Sequence, residues 1–215
     1  WTFQTVSSIS GRLFSDAGDS PIGTTKTLKL AMGTTTTRTY TTMTVGLGDW
    51  EFLLTDGYSF ATATRLLVWV DGDATTHASV FTKASGTAPI LDLDLYQDRV
   101  ILSHEAPSGT STTISDLSFY DADDDSDLRY TANSGALVVS TGNELSVQAG
   151  KTFAPGGAVT IHGNATTTVV DGSFSLGVGS TYTAGGTTTI AGSFTAASTT
   201  SVFTPGNYTL LFTAT

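Results

Sequence analysis

The chain has 215 residues, a formal net charge of -10, 39% hydrophobic content and no Cys; 42 of its residues are Thr. An acidic balance excludes a nucleic-acid partner, because nothing replaces the counterions around the phosphates, and it excludes an anionic lipid surface. No apolar run approaches the ~20 residues that span a bilayer, thiol chemistry is excluded, and the mean hydropathy of +0.09 fits a packed core rather than disorder.

Thr, Val, Ile, Phe and Tyr dominate and helical periodicity is nearly absent, so the chain reads as all-β. Residues 1–8 form a β-prone arm in which Trp1 and Phe3 share a face and Val6 follows. No basic and apolar leader region begins the chain, so Trp1 is expected to be a mature N-terminus after processing. An arm of this kind either pairs within its own sheet or inserts into a neighbouring subunit as a donor strand.

Residues 9–105 read as a β-sandwich of about seven strands. Ile9 to Phe14 is a strand, and Ser15 to Pro21 is a turn cluster. Lys26 to Met32 alternates with Leu28, Leu30 and Met32 on one face, and Thr34 to Val45 is a Thr-rich strand or hairpin. Gly46 to Asp49 turns into Trp50 to Leu54. Arg65 to Val70 is the most apolar run and is expected to be central, closed by a hairpin turn at Asp71, Gly72 and Asp73. Ser79 to Lys83 and Ile90 to Tyr96 complete the set. Trp50 and Trp69 are expected in the core.

Within Ile9-Ser10-Gly11, the Asp16–Pro21 turn, the Thr34–Thr44 stretch, Gly48-Asp49-Trp50-Glu51-Phe52 and Leu66–Val70, the pattern resembles a small sandwich of bacterial and archaeal cell-surface proteins. That family comprises the carboxypeptidase-regulatory-like and collagen-adhesin B-type repeats. The resemblance covers roughly the first 75 residues and implies a β-sandwich on a cell surface. The Lys and Asn of the cross-linked subfamily have no evident counterpart, since the segment has Lys26, Lys29 and Lys83 but no Asn before Asn133.

Residues 106–130 read as an acidic linker. Asp121, Asp123, Asp125 and Asp127 stand at alternate positions, and carboxylates this dense repel unless a cation offsets them. Two readings stand side by side: a solvated linker, or a calcium loop ligated by those four residues. Ser126 and Ala132 depart from the EF-hand pattern, which wants Gly and a bidentate Glu there.

Residues 131–215 carry only Glu144, Lys151 and Asp171 as charged side chains. Thr152-Phe153-Ala154-Pro155-Gly156-Gly157 returns at Thr181 to Gly186 and again at Val202 to Asn207, and Gly-Ser-Phe recurs at Gly172 and Gly192. A period near 20 residues points to a β-solenoid; a second sandwich is the alternative. The stretch resembles the Thr/Gly-rich coils of large bacterial surface and autotransporter-like proteins. Tyr208, Leu210 and Phe212 mark a β-prone strand at its far end.

Candidate chemistry is sparse. Asp92 and Asp94 are paired acids on an expected strand, and with Glu105 they are the residues a glycoside hydrolase could use. His77, His104 and His162 are isolated, and no nucleophile elbow, phosphate loop or dinucleotide motif occurs. The expectation is a secreted, non-enzymatic structural protein requiring no cofactor, whose partners are copies of itself in an extracellular filament or sheath. Trp1, Phe3, Val6, Tyr208, Leu210 and Phe212 would carry the contact. The alternative is a cell-surface adhesin or carbohydrate-binding module.

Overall fold

The computed structural model describes residues 7–15, 20–33, 36–38, 48–54, 61–105, 111–140, 142–148, 151–154, 158–161, 174–176, 181–183, 188–190, 194–196, 198–204, 207 and 209–212. The strands of the first part are β1 (Ser7–Phe14), β2 (Thr27–Met32), β3 (Thr36–Arg38), β4 (Asp49–Leu54), β5 (Arg65–Asp71), β6 (Ala78–Lys83), β7 (Leu95–Tyr96) and β8 (Arg99–Leu102). One turn of helix, α1 (Ile114–Leu117), follows, then β9 (Tyr130–Asn133). Next come β10 (Ala136–Val139), β11 (Glu144–Val147), β12 (Thr152–Phe153), β13 (Ala158–Ile161) and β14 (Phe174–Leu176). The last are β15 (Thr181–Thr183), β16 (Thr188–Ile190), β17 (Phe194–Ala196), β18 (Val202–Thr204) and β19 (Leu210–Phe212). The chain is thus mostly strand in several sheets.

The small sheet β4-β1-β7 packs on one face of a large sheet ordered β17-β14-β11-β8-β6-β5-β2-β3. Leu28, Leu30, Leu66, Val68, Val70, Val80 and Ile101 meet Ile9, Leu13, Trp50, Phe52 and Leu54 of the small sheet there. Leu67, Trp69, Phe81, Val100 and Leu102 point to the opposite face, where Ile114, Leu117, Leu128 and Tyr130 cover them. A strand covered on both faces reads as an unbroken apolar run, which is why Leu66–Val70 has no polar alternation. Trp50 and Trp69 are both buried.

Two expectations need correction. Ile90–Tyr96 is not one strand: only Leu95–Tyr96 pairs regularly, parallel to Leu13–Phe14, with an isolated bridge at Ile9 and Ile90. Four steps along β1 face five along the partner, so one extra residue bulges out. Asp92 takes φ 57° in this bulge. The bulge turns Leu91 outward while Leu93 is buried. Gly11 accommodates it, since a Cβ there would lie 2.2 Å from the Leu93 carbonyl oxygen. Of the Thr34–Val45 stretch, β3 is a short strand antiparallel to β2, and the rest lies outside the described residues, as do most of the Ser15–Pro21 turn and the Pro-Gly and Gly-Gly corners of the repeats.

The stretch 111–130, read as part of a solvated linker, is folded onto the large sheet. Thr113 and Asp116 form a capping box at α1. Asp116 also receives the buried Lys83 ammonium at 2.9 Å, and the same ammonium donates to the Ser111 carbonyl. Leu117, Leu128 and Tyr130 are buried. The apolar cluster they join continues through Leu137, Leu145, Phe153, Phe174 and Tyr182, and the large sheet runs from β5 through β8 into β11. Sheet and core therefore both cross the expected boundaries at 105 and 131.

In the last third the pairing is parallel and cyclic. β10 pairs β13, β13 pairs β16 and β16 pairs β19. β11 pairs β14 and β14 pairs β17, while β12 pairs β15 and β15 pairs β18. The chain visits three ladders in rotation, about once per repeat. Aromatic side chains stand in register: Phe153, Tyr182 and Phe203 on one ladder, Phe174 and Phe194 on another. Neighbouring rings are 5.8 Å (Phe153–Tyr182), 5.0 Å (Tyr182–Phe203) and 5.6 Å (Phe174–Phe194) apart.

Candidate functional site

Three places carry groups that could act on a partner. The first is an open cleft of about 750 Å³ on the solvent side of the small sheet, lined by Ser10, Gly11, Arg12, Phe14, Asp49, Trp50, Glu51, Asp92 and Asp94. Strand alternation in β1 and β4 puts Ser10, Arg12, Asp49 and Glu51 outward, with Ser10 opposite Glu51 and Arg12 opposite Asp49. The Arg12 guanidinium donates to Asp49 at 2.6 Å, an exposed pair of small energetic weight. The bulge brings Asp92 and Asp94 over the other edge, and Asp94 accepts from the Arg12 amide at 2.8 Å. Burial raises the Asp94 carboxyl above its ordinary value; the Arg12 amide opposes this and the Asp92 charge adds to it.

Asp92 and Asp94 therefore share one site, although not as successive outward residues of a strand. Glu105 is elsewhere, accepting from Thr82 Oγ1 at 3.2 Å with Lys151 Nζ 3.7 Å away. Four carboxylates face one guanidinium in the cleft, a surface suited to hydroxyl or cationic groups. Arg12, Asp49 and Glu51 are not among the candidate chemical residues that the sequence offers, although Asp49 and Glu51 stand in the motif that carries the family resemblance. Their signal is the outward phase of two amphipathic strands, which becomes legible only once the two are paired in register.

The second place is the acidic stretch. Its alternate carboxylates do not converge as a loop of four. Asp121 is buried and accepts from the amides of Ala132 (2.7 Å) and Asp123 (2.9 Å). Asp123 accepts from Asn133 Nδ2 at 2.5 Å. Asp125 and Asp127 turn the other way and meet Asp71 at the end of β5, with ligand atoms of all three within 4.8 Å of one another. Lys29 reaches this triad at 2.6 Å from Asp71 and 3.1 Å from Asp125, and Asp127 accepts from the Gly72 amide at 2.7 Å. The Lys29 ammonium is held above its ordinary pKa by its bond to Asp71, against the cost of burial and with Asp125 adding to the rise. The single Lys29 ammonium thus offsets part of the charge of the three carboxylates. Lys29 and Asp71 lie about 100 and 50 residues from the acidic stretch, respectively, and no local spacing connects them to it.

The third place is the end of the parallel ladders. Leu210 is half-buried, Leu211 and Phe212 are 46% and 52% exposed, and Val202 of β18 is 47% exposed. Among the described residues, nothing pairs with the outer edges of β17, β18 or β19. Trp1, Phe3, Val6 and Tyr208 lie outside the described residues. Among the described residues, no helix is long and apolar enough to cross a membrane. Comparison with protein-family models, with curated proteins and with solved structures finds no match to this chain.

Proposed function

We propose that this chain is a secreted, non-enzymatic structural subunit whose last third is a three-sided parallel β-solenoid and which polymerises by strand addition at the solenoid's end. The supporting observation is that, among the described residues, no strand pairs with the outer edges of β17, β18 and β19. Exposed edges in soluble proteins are usually blunted by charge or Pro. β4 follows that rule with the exposed Asp49 and Glu51. Phe194–Ala196, Val202–Thr204 and Leu210–Phe212 contain no charged residue, and they expose Val202, Leu211 and Phe212. Residues 131–215 carry only three charged side chains, so this part of the sequence adds little charge repulsion between copies.

The geometry limits how copies could add. The other end of each ladder is occupied, by β9 on β10, by β8 on β11 and by the Thr112 bridge on Phe153. A solenoid end therefore has no second solenoid start to stack on, and a head-to-tail contact must use a free segment. By its sequence the arm with Trp1, Phe3 and Val6 is β-prone and would be the donor, and the strand Leu210–Phe212 would be the accepting edge. Such a contact is heterologous and non-closing, so it produces a filament. Negative-stain electron microscopy at neutral pH tests this: filaments from the intact chain and dispersed particles after deletion of residues 1–6 are the expected pair of results. Dispersed particles from both refute it.

A second reading, a glycan-binding surface module, is favoured by the polar cleft around Arg12 and Asp94. It requires glycan titration to be abolished by Asp94→Ala while the chain remains a monomer with or without the arm.

A further inference from the structure

We propose that residues 7–133 serve as the N-terminal cap and folding template of the parallel ladders, so that stability passes along them in one direction only. This rests on the solenoid reading above and goes beyond it by assigning a task to the sandwich. The first circuit, β10 to β12, is bonded to the module on all three sides. β9 pairs antiparallel with β10, placing Tyr130 opposite Val139 and Ala132 opposite Leu137. β8 pairs parallel with β11 in the sense in which β14 pairs on its other side, and the Glu144 and Gln148 amides donate to Asp98 (2.8 Å) and Leu102 (2.9 Å). Against β12, Thr112 accepts from the Ala154 amide at 2.9 Å, and its own hydroxyl is fixed on the Ser103 carbonyl at 2.8 Å. Lys151 adds a staple from the first circuit to the His104 carbonyl at 2.7 Å. The module thus presents one strand or bridge to each ladder, as a preceding circuit would.

Burial along the in-register columns falls with distance from that cap. Phe153 and Tyr182 are fully buried and Phe203 is only partly so; Phe174 is fully buried and Phe194 partly; Leu137 is fully buried and Leu210 partly. In a stacked array each unit is stabilised by its neighbours, and a unit with one neighbour opens first. The capped circuit has a rigid neighbour on its near side. Among the described residues, β19 is the one strand that pairs beyond the circuit of β16 to β18. No circuit buries its aromatic residues alone, so the first can form only on the module, and each later one on its predecessor. The dependence does not run backwards, because the module has its own core between the small and large sheets.

The test is native-state hydrogen exchange by mass spectrometry on the full chain, at a concentration where sedimentation shows a monomer. Ser146→Pro breaks β11 at the cap, because proline removes a ladder donor. Thr195→Pro breaks β17 at the far end in the same way. Ser146→Pro is expected to raise exchange by about tenfold or more in every strand from β10 to β19 while β5 and β6 stay protected. Thr195→Pro is expected to raise it only in β16 to β19. Leu145→Ala, a milder change at the same junction, should show the first pattern at smaller amplitude. The inference is overturned if Ser146→Pro leaves β14 and β15 protected, if Thr195→Pro opens the first circuit equally, or if β5 and β6 open with Ser146→Pro and with Leu145→Ala. Wild-type ladders without any protection would overturn the solenoid reading itself, and this inference with it.

Discussion

Replacing Gly11 by Ala adds one methyl group at the point where the small sheet receives its bulge. The added Cβ would lie 2.2 Å from the Leu93 oxygen, 2.6 Å from its carbonyl carbon and 3.0 Å from the Trp50 ring. Ordinary contact begins near 3.4 Å, so the bulge must retreat by 3.4 - 2.2 = 1.2 Å. The obstacle is backbone, which cannot rotate away as a side chain does. Retreat stretches the bonds that seat the bulge: Ser10 amide to Ile90 (2.9 Å), Leu93 amide to Ser10 (3.0 Å) and Arg12 amide to Asp94 (2.8 Å). Losing two of them at about 1 kcal/mol each, with about 1–3 kcal/mol of overpacking, gives a destabilisation of about 3–5 kcal/mol. Urea unfolding followed by Trp fluorescence measures it. Gly23→Ala and Gly86→Ala are controls, since a Cβ at either meets nothing within 4 Å, and each should stay within about 0.5 kcal/mol of wild type. A Gly11→Ala midpoint matching those controls would refute the bulge argument.

The other expectations concern charge and the ladders. His77 is held below its ordinary pKa of 6.5, first by burial and then by Arg129, against Asp98, Asp127 and Asp73, which raise it; Arg129 Nη2 lies 2.9 Å from Nδ1 and 2.7 Å from Nε2. A depressed folded value means the unfolded chain takes the proton more readily. The stability His77 contributes is therefore present above pH 6.5 and lost as pH falls through the folded value; thermal melts from pH 8 to 5 should slope less in His77→Asn. Lys29→Met leaves Asp71, Asp125 and Asp127 uncompensated, costing about 1–3 kcal/mol, and calcium should raise the melting temperature of this variant more than that of wild type. Phe174→Ala should cost about 3–5 kcal/mol and Phe194→Ala clearly less, because the second ring is only partly covered; equal costs in chemical denaturation would contradict the burial gradient.

The strands whose pattern is local were legible from the residues. Ile9–Phe14, Trp50–Leu54 and Arg65–Val70 carry their burial in their own alternation or in an unbroken apolar run, and their strands β1, β4 and β5 overlap those ranges closely. The recurrence of Phe153, Tyr182 and Phe203 at matching places in the repeats anticipated that they would stand in one register. What stayed hidden depends on distant pairing. β8 meets β11 across the acidic stretch, and nothing in Arg99–Leu102 names that partner. The Asp residues between 116 and 127 give the stretch a solvated pattern that conceals Leu117, Leu128 and Tyr130, which anchor it in the core. The helical turn α1 is signalled only by Thr113 and Asp116, a pair too short to show periodicity. The extended reading of Ile90–Tyr96 failed because alternation in Leu91, Leu93 and Leu95 is compatible with a bulge, and only Gly11 opposite it discloses the crowding.

Strand addition between copies is the central claim, and a chain without cysteine permits a direct measurement. Phe3→Cys and Leu211→Cys are made in separate preparations, mixed, and oxidised at neutral pH, and the disulfide-linked products are mapped by mass spectrometry. The account expects a mixed disulfide joining position 3 of one copy to position 211 of another, a product that neither preparation forms alone. Cross-linking confined to position 211 with its own counterpart, or none above the level of a solvent-exposed control pair, would contradict it.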